Sequence, residues 1–196
     1  YALGVPLNYH ANGDAAIDML FRAHEWAAAD DPRKERNVTV IHAQFSRKDQ
    51  VAKYLEYSMT PSFYTLHTYY FADAHIANRG PEQAAYISPM RDAIDAGLHP
   101  TNHTDFVVAP LDQMFVLWSA VNRISRSGEV IGEGQRVGAL EGLKAQTIWA
   151  AEQYGEAAEK GSLEPGKLAD IELADRSPAG VQAIATEDIK GGDTSK

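Results

Sequence analysis

One arrangement occurs in three places in the sequence: an apolar or β-branched run reaches a histidine and then gives way to a turn or a helix start. The clearest copy is Tyr9-His10-Ala11-Asn12-Gly13-Asp14, which follows the apolar run 2–7. The other two are Thr39-Val40-Ile41-His42 and Thr101-Asn102-His103-Thr104-Asp105. In an α/β barrel the carboxyl ends of all strands face one side and carry the catalytic side chains. We therefore expect the three segments to meet at one site.

Strand and helix patterns alternate along the chain. Apolar and β-branched runs predict strands over residues 3–9, 38–43, 61–66 and 98–105. Apolar residues at helical spacing predict helices over 14–29, 46–58, 80–97, 110–125 and 139–154, with Asp14 as an N-cap and Val51, Tyr54 and Leu55 facing inward. Residues 68–79 are expected to form an irregular loop, residues 161–171 a turn and a short strand, and residues 176–196 a loosely packed tail.

Four strand-then-helix units in succession predict a parallel α/β fold. Four units are half of an eight-fold barrel, and a half barrel leaves two open strand edges. Either the chain is an open sheet by itself, or the other half of the barrel lies elsewhere. A flavodoxin-like open sheet that binds a small ligand would need a glycine-rich phosphate turn, which we do not find in the sequence.

Length, charge and residue usage exclude several classes of function. The 196 residues are enough for one domain with a sizeable core, and a net charge of −9 without a basic stripe disfavours a nucleic-acid partner. The absence of cysteine removes disulfides, cysteine nucleophiles and thiolate metal sites. No apolar run approaches the ~20 residues that cross a bilayer, so we expect no membrane segment. We favour a cytoplasmic location, and the start at Tyr1 leaves an upstream targeting segment open.

His10, His42 and Asp105 are the candidate metal ligands, since they end the first, second and fourth predicted strands. Two neutral imidazoles and a carboxylate form part of a shell for a divalent metal, and an aspartate can both ligate and accept a proton from the attacking water. Each residue also has an ordinary structural interpretation, because strand-end histidines are often only satisfied polar residues and Asp105 could cap a helix. Three such residues at matching places favour the metal site.

His67 and His103 are candidate substrate-binding residues. His67 ends the third predicted strand and could bind substrate or polarise a carbonyl, whereas strand alternation puts His103 on the same face as Asp105. A solvated loop or a supporting role would explain either one equally well. The nearby aromatic residues could wall a substrate pocket, although core packing accounts for about half of them; they are Phe63, Tyr64, Tyr69, Tyr70 and Phe71.

Several of these motifs resemble the amidohydrolase superfamily, in the branch that includes N-substituted formamide deformylases. The segment His10-Ala11-Asn12-Gly13-Asp14-Ala15-Ala16 resembles its fifth-strand signature, residues 36–44 its sixth-strand motif and residues 96–106 its eighth-strand segment. The most specific part is Gly161-Ser162-Leu163-Glu164-Pro165-Gly166-Lys167-Leu168-Ala169-Asp170, which with the helix before it resembles the return into a small β-domain. The resemblance covers about residues 1–175.

The resemblance implies the C-terminal half of a (β/α)8 TIM-type barrel, strands five to eight, over residues 1–160, and the start of a small β-domain over 161–196. It implies that His10 and His42 ligate one metal, usually zinc, and that Asp105 ligates the other metal site and acts as general base. His67 would face the substrate at the seventh strand. The implied reaction is hydrolysis of a C–N bond in a small amide-like substrate, with one or two divalent ions.

The sequence also departs from the family pattern. The first-strand His-x-His pair and the fourth-strand Lys or acidic ligand are absent and would lie upstream of Tyr1. Ile41 stands where the family often has Glu, and residues 178–196 lack the usual β pattern. We therefore expect this chain alone to be inactive. The alternative is an inactive or incomplete half barrel that works as a binding or assembly module, with an exposed edge that would permit a homo-oligomer.

Overall fold

Strands and helices alternate through most of the chain in the computed structural model, which describes residues 3–31 and 36–171. The described strands form one parallel sheet, in agreement with the predicted α/β class; they are β1 (Leu7–Ala11), β2 (Val38–His42), β3 (Met59–Phe63) and β4 (Thr101–Asn102). Their order in the sheet is β1-β2-β3-β4, so each strand pairs with the next one in the chain. Consecutive strands of a barrel wall have this order.

Helices connect the strands and continue after the last one. The long helix α1 (Asp14–Asp30) follows β1, and α2 (Lys48–Glu56) follows β2. Short helices link β3 to β4: α3 (His67–Tyr70), α4 (Ala72–Arg79), α5 (Pro81–Ala85) and α6 (Met90–Asp95). After β4 come α7 (Gln113–Asn122), a 3₁₀ turn (Glu133–Gln135), α8 (Ala139–Gln146) and α9 (Ile148–Gln153).

The main core packs the sheet against α1, α2 and α6. Val40 of β2 and Phe63 of β3 are fully buried in it, together with Phe21 of α1 and Tyr54 of α2. The rings of Phe21 and Tyr54 make an edge contact with centroids 5.5 Å apart. Burial of each such side chain contributes about 1.5–3 kcal/mol, so this core fixes how the strand ends are arranged.

The strand register shows which residues lie side by side at the carboxyl-terminal edge of the sheet. Ala11 pairs with His42, His42 with Phe63, and Phe63 with Asn102. Because the strands are parallel, this row lies at the carboxyl ends of all of them. None of the helices within 3–31 and 36–171 is both long and apolar enough to cross a bilayer.

Three predicted strands differ from the structure. The first, predicted over residues 3–9, begins at Leu7 and extends to Ala11. The third ends at Phe63 rather than beyond it, because the N–H of Thr65 donates to Oδ1 of Asn102 at 3.2 Å and the chain turns into α3. His67 therefore begins a helix and does not end a strand. The fourth predicted strand shrinks to Thr101–Asn102, where β3 is its paired neighbour.

The predicted helix 14–29 matches α1 in extent, while several details of the helix predictions differ from the structure. Residues 68–79 are mostly helical in α3 and α4, and the last predicted helix breaks at Thr147, whose φ of −124° and ψ of −96° are not helical. Leu55 is about half exposed, and the N-cap of α1 is Gly13, with Asp14 in the first turn. Residues 161–171 contain bends and one turn without the predicted strand, and the predicted tail 176–196 lies outside the described residues.

Candidate metal centre

His42, the last residue of β2, lies at the centre of a cluster of imidazole rings. Strict strand alternation would put the side chain of His42 on the same face of the sheet as Val38 and Val40. His10 pairs with Ile41 and therefore lies on the opposite face. His42 has a left-handed backbone with φ of 72°, which re-aims the side chain at the end of the strand. Its ring meets that of His10 edge-on, with centroids 4.7 Å apart. The turn at His42 thus joins the two histidines.

Asp105 reaches the same cluster from the loop after β4. Its Oδ2 lies 3.9 Å from Nε2 of His42. Potential ligand atoms of His42, His103 and Asp105 all lie within 4.8 Å of one another. Asp105 also has a left-handed backbone, with φ of 53°, and its carbonyl accepts from the N–H of Val108 at 2.6 Å. Non-glycine residues in this conformation are uncommon and concentrate at functional sites.

His67 and Tyr64 close the cluster on the side of α3. The ring of His67 lies 5.6 Å from that of His42 and 4.6 Å from that of Tyr64, centroid to centroid. Tyr64 stacks on His103 with centroids 5.7 Å apart. Both His67 and Tyr64 are buried. His67 therefore joins the site although it does not end a strand.

Burial keeps the inner histidines neutral. It lowers the pKa of His42, more than the nearby Asp105 carboxylate raises it. Burial lowers the pKa of His67 to about 2, and electrostatic repulsion from His42 and His103 adds to this effect. Burial and His42 also lower the pKa of His103 to about 4, against the opposing effects of Asp105 and the Ser62 carbonyl. Neutral imidazole is the form that ligates metals, so the cluster is ready for a cation at neutral pH.

Several buried polar atoms of the cluster have no hydrogen-bond partner among the residues that the structure describes: Nδ1 of His42, Nδ1 of His67, Nε2 of His103 and the hydroxyl of Tyr64. Buried polar atoms are nearly always paired, so such a group of unpaired ones needs an explanation. A cation with its water and substrate ligands would provide one. Imidazole and carboxylate are also the donors that zinc and similar divalent ions take, so the residues fit a metal.

The structure brings together every residue that the sequence nominated for the site: His10, His42, Asp105, His67 and His103. His10 differs from the others in being exposed. Tyr64 was predicted only as one of five pocket or core aromatics, yet its ring contacts His67 and His103 in the cluster. Its place directly after β3 is the signal that could have singled it out. Of the other four aromatics, Phe63 belongs to the main core and Tyr69 packs on Phe115.

Comparison with known proteins gives concordant matches. The profile described as "Amidohydrolase family" matches residues 1–192. The N-substituted formamide deformylase of Arthrobacter pascens is 26% identical over 181 residues, which cover 90% of this chain and 32% of that enzyme. The chain thus spans about a third of the length of this curated relative.

Two solved structures have a similar fold. An uncharacterized metal-dependent hydrolase from Pyrococcus furiosus aligns with a TM-score of 0.74 and 27% identity, covering 91% of this chain and 35% of the other. One from Pyrococcus horikoshii aligns with a TM-score of 0.75 and 24% identity, with the same coverage. The parallel sheet with its helices therefore corresponds to part of a larger hydrolase fold.

Proposed function

Because the chain belongs to the amidohydrolase family, we propose that it forms the strand-five-to-eight half of a metal-dependent hydrolase barrel acting on amide-like C–N bonds. The 3.9 Å approach of His42 Nε2 to Asp105 Oδ2 is the observation that carries the proposal. It joins the end of β2 to the loop after β4 at one point of the sheet edge, where the ring of His10 also lies.

In this proposal His10, His42 and Asp105 hold one or two divalent ions, most simply zinc. When bound, a divalent ion would act as a Lewis acid and lower the pKa of water, so that hydroxide would be available as the nucleophile near neutral pH. Asp105 would accept the proton of the attacking water, since its carboxylate is about one-third exposed and can reach a solvent molecule. The neutral rings of His67 and His103 face the substrate and orient its carbonyl group.

The substrate class follows from the family and from the relative in Arthrobacter pascens, whose name specifies an N-substituted formamide. We extend to this chain only the amide-like C–N bond and a small-molecule substrate. Residues 1–160 would form the barrel portion and residues 161–196 the start of a small β-domain. Because the family's first-strand and fourth-strand ligands have no counterpart in residues 1–196, the chain alone would be inactive.

Metal analysis of the purified protein, with its intact mass, tests this proposal. We expect a divalent ion that is removed by a chelator, and its loss in His42→Ala and Asp105→Asn. His99→Ala is the matched control, because His99 is an exposed histidine paired with Glu152 away from the cluster. Full metal content in both site variants would contradict the proposal. Hydrolysis of simple N-formyl amines should require the longer polypeptide and disappear with the metal.

An incomplete half barrel that serves as an assembly module remains the second candidate. The apolar side chains near the β1 edge favour it, because Leu3, Val5 and Leu7 are 88%, 58% and 38% exposed. Exposed apolar residues beside an open strand edge commonly pair with another chain. Light scattering would then find a stable oligomer without metal, whereas a metal-loaded monomer would exclude this function.

A further inference from the structure

His103 is close enough to the other candidate ligands to be mistaken for one of them. Its ring is centred 5.1 Å from that of His42, and a ligand atom of His103 lies within 4.8 Å of those of His42 and Asp105. Distance alone would therefore give a site with ligands His42, His103 and Asp105. The hydrogen bonds of the ring decide whether its lone pairs are free to bind a metal.

One lone pair is already used. The backbone N–H of Asp105 donates to Nδ1 of His103 at 3.1 Å. An amide N–H can only donate, so Nδ1 must be the unprotonated nitrogen of the ring. In a neutral imidazole the proton then sits on Nε2. A protonated Nε2 has no lone pair for a metal, and Nδ1 has already given its own to Asp105.

The same hydrogen bond holds Asp105 in place. Asp105 has the left-handed φ of 53°, and its peptide groups are tied on both sides: the N–H to His103, the carbonyl to the N–H of Val108. Without the bond from its N–H, the residue would be free to relax toward an ordinary conformation. Its carboxylate would then move away from His42, which it now approaches to 3.9 Å.

We infer that His103 is a positioning residue, which fixes Asp105 through Nδ1 and keeps its proton on Nε2, and that it is not a metal ligand. The inference rests on the proposed function, because it assigns a role around the same metal. It predicts that Nε2–H is a donor to an oxygen atom of a substrate or water, consistent with that nitrogen being buried and unpaired among the described residues.

Two amide substitutions separate positioning from ligation. In His103→Asn the side-chain oxygen can take the place of Nδ1, whereas in His103→Gln it falls nearer to Nε2. We expect His103→Asn to bind zinc within about threefold of the wild type. We expect His103→Gln to bind about 10–100-fold more weakly, the typical loss when a supporting partner of a ligand is removed. An Asn variant as weak as the Gln variant, or weaker, would overturn the inference.

Nitrogen-15 NMR of the wild-type protein gives a readout that does not depend on variants folding. We expect the His103 ring to carry its proton on Nε2 in the metal-free protein and to keep it after zinc is added. A proton on Nδ1, or loss of the Nε2 proton on zinc addition, would overturn the inference. Absence of zinc from the wild type would instead overturn the proposed function, and the tautomer in the metal-free protein would still test His103 separately.

Discussion

His42 and Asp105 approach each other through two left-handed backbone conformations, one at the end of β2 and one in the loop after β4. The atoms Nε2 of His42 and Oδ2 of Asp105 are 3.9 Å apart, too far for a hydrogen bond and close enough for a shared cation. Conformations of this kind cost about 1–3 kcal/mol each and persist where the surroundings enforce them. A cation bound between His42 and Asp105 would therefore stabilise the folded protein.

Removal of the metal should lower the stability of the protein. A ligand that binds only the folded state adds about 2.7 kcal/mol when its free concentration is 100 times the dissociation constant. We expect chelation to reduce the free energy of unfolding by an amount that grows with the zinc concentration used for comparison. Thermal unfolding with and without chelator measures it, and His42→Ala should abolish the difference. An equal effect of chelator on His42→Ala would contradict the assignment.

Arg123 should be among the residues on which the fold depends most. Its guanidinium is fully buried and donates to backbone carbonyls; the acceptors are Ile131, Ser88, Ala85 and Ile87. Replacement by Met leaves these buried acceptors without their donor, each at a cost of about 1–3 kcal/mol. We expect Arg123→Met to lose at least about 3 kcal/mol in urea unfolding.

Arg126→Met is the control for this experiment, because Arg126 is exposed three residues further along the chain. Surface substitutions of this kind usually change stability by less than about 0.5 kcal/mol. Similar losses in both variants would mean that the buried guanidinium does not hold the segments together.

The buried hydroxyl of Tyr64 should lower the stability of the folded protein while serving the site. Burial raises the pKa of its hydroxyl to about 12, so the group is neutral, and it has no hydrogen-bond partner in residues 3–31 and 36–171. Removing a buried unpaired hydroxyl relieves its desolvation penalty. We expect Tyr64→Phe to gain about 1 kcal/mol in urea unfolding of the metal-free protein and to keep its metal. In the longer polypeptide, where we expect hydrolysis, the same substitution should reduce activity. A destabilised variant would show that the hydroxyl is satisfied in solution.

The first two strand units were predictable because their signals are local. The turn Asn12-Gly13 and the regular apolar spacing after it define α1, and the β-branched run defines β2. The convergence of His10, His42 and Asp105 also followed from strand order alone. Strand alternation, by contrast, would have placed His10 and His42 on opposite faces of the sheet. The left-handed backbone at His42 that brings them together was not predictable, because no glycine marks it in the sequence.

The segments after β3 were less predictable because distant contacts determine them. The chain leaves β3 where Thr65 bonds to Asn102, a residue much further along the sequence. The helices α3 and α4 are too short to display a clear apolar period. His67 was therefore nominated for the right site on the wrong element, and Tyr64 was not distinguished from its aromatic neighbours.

His24 should make the protein less stable at mildly acidic pH, independently of the metal site. It is a buried residue of α1 whose ring lies against Tyr57, and burial, with the charge of Arg36, lowers its pKa below the usual value. The unfolded chain therefore binds a proton at His24 more readily than the folded protein does. Stability is full above the unfolded pKa of about 6.5 and is lost as the pH falls from there toward the folded pKa.

Urea unfolding of metal-free wild type and His24→Gln between about pH 7.5 and pH 5 measures this contribution. The variant has no titrating ring at this position, so its free energy of unfolding should fall less than that of the wild type over the same interval. The other ionisable groups are the same in both proteins, so their contributions cancel in the difference. If both proteins lose the same stability on acidification, the ring of His24 is not held neutral by the fold, and other ionisable groups account for the pH dependence.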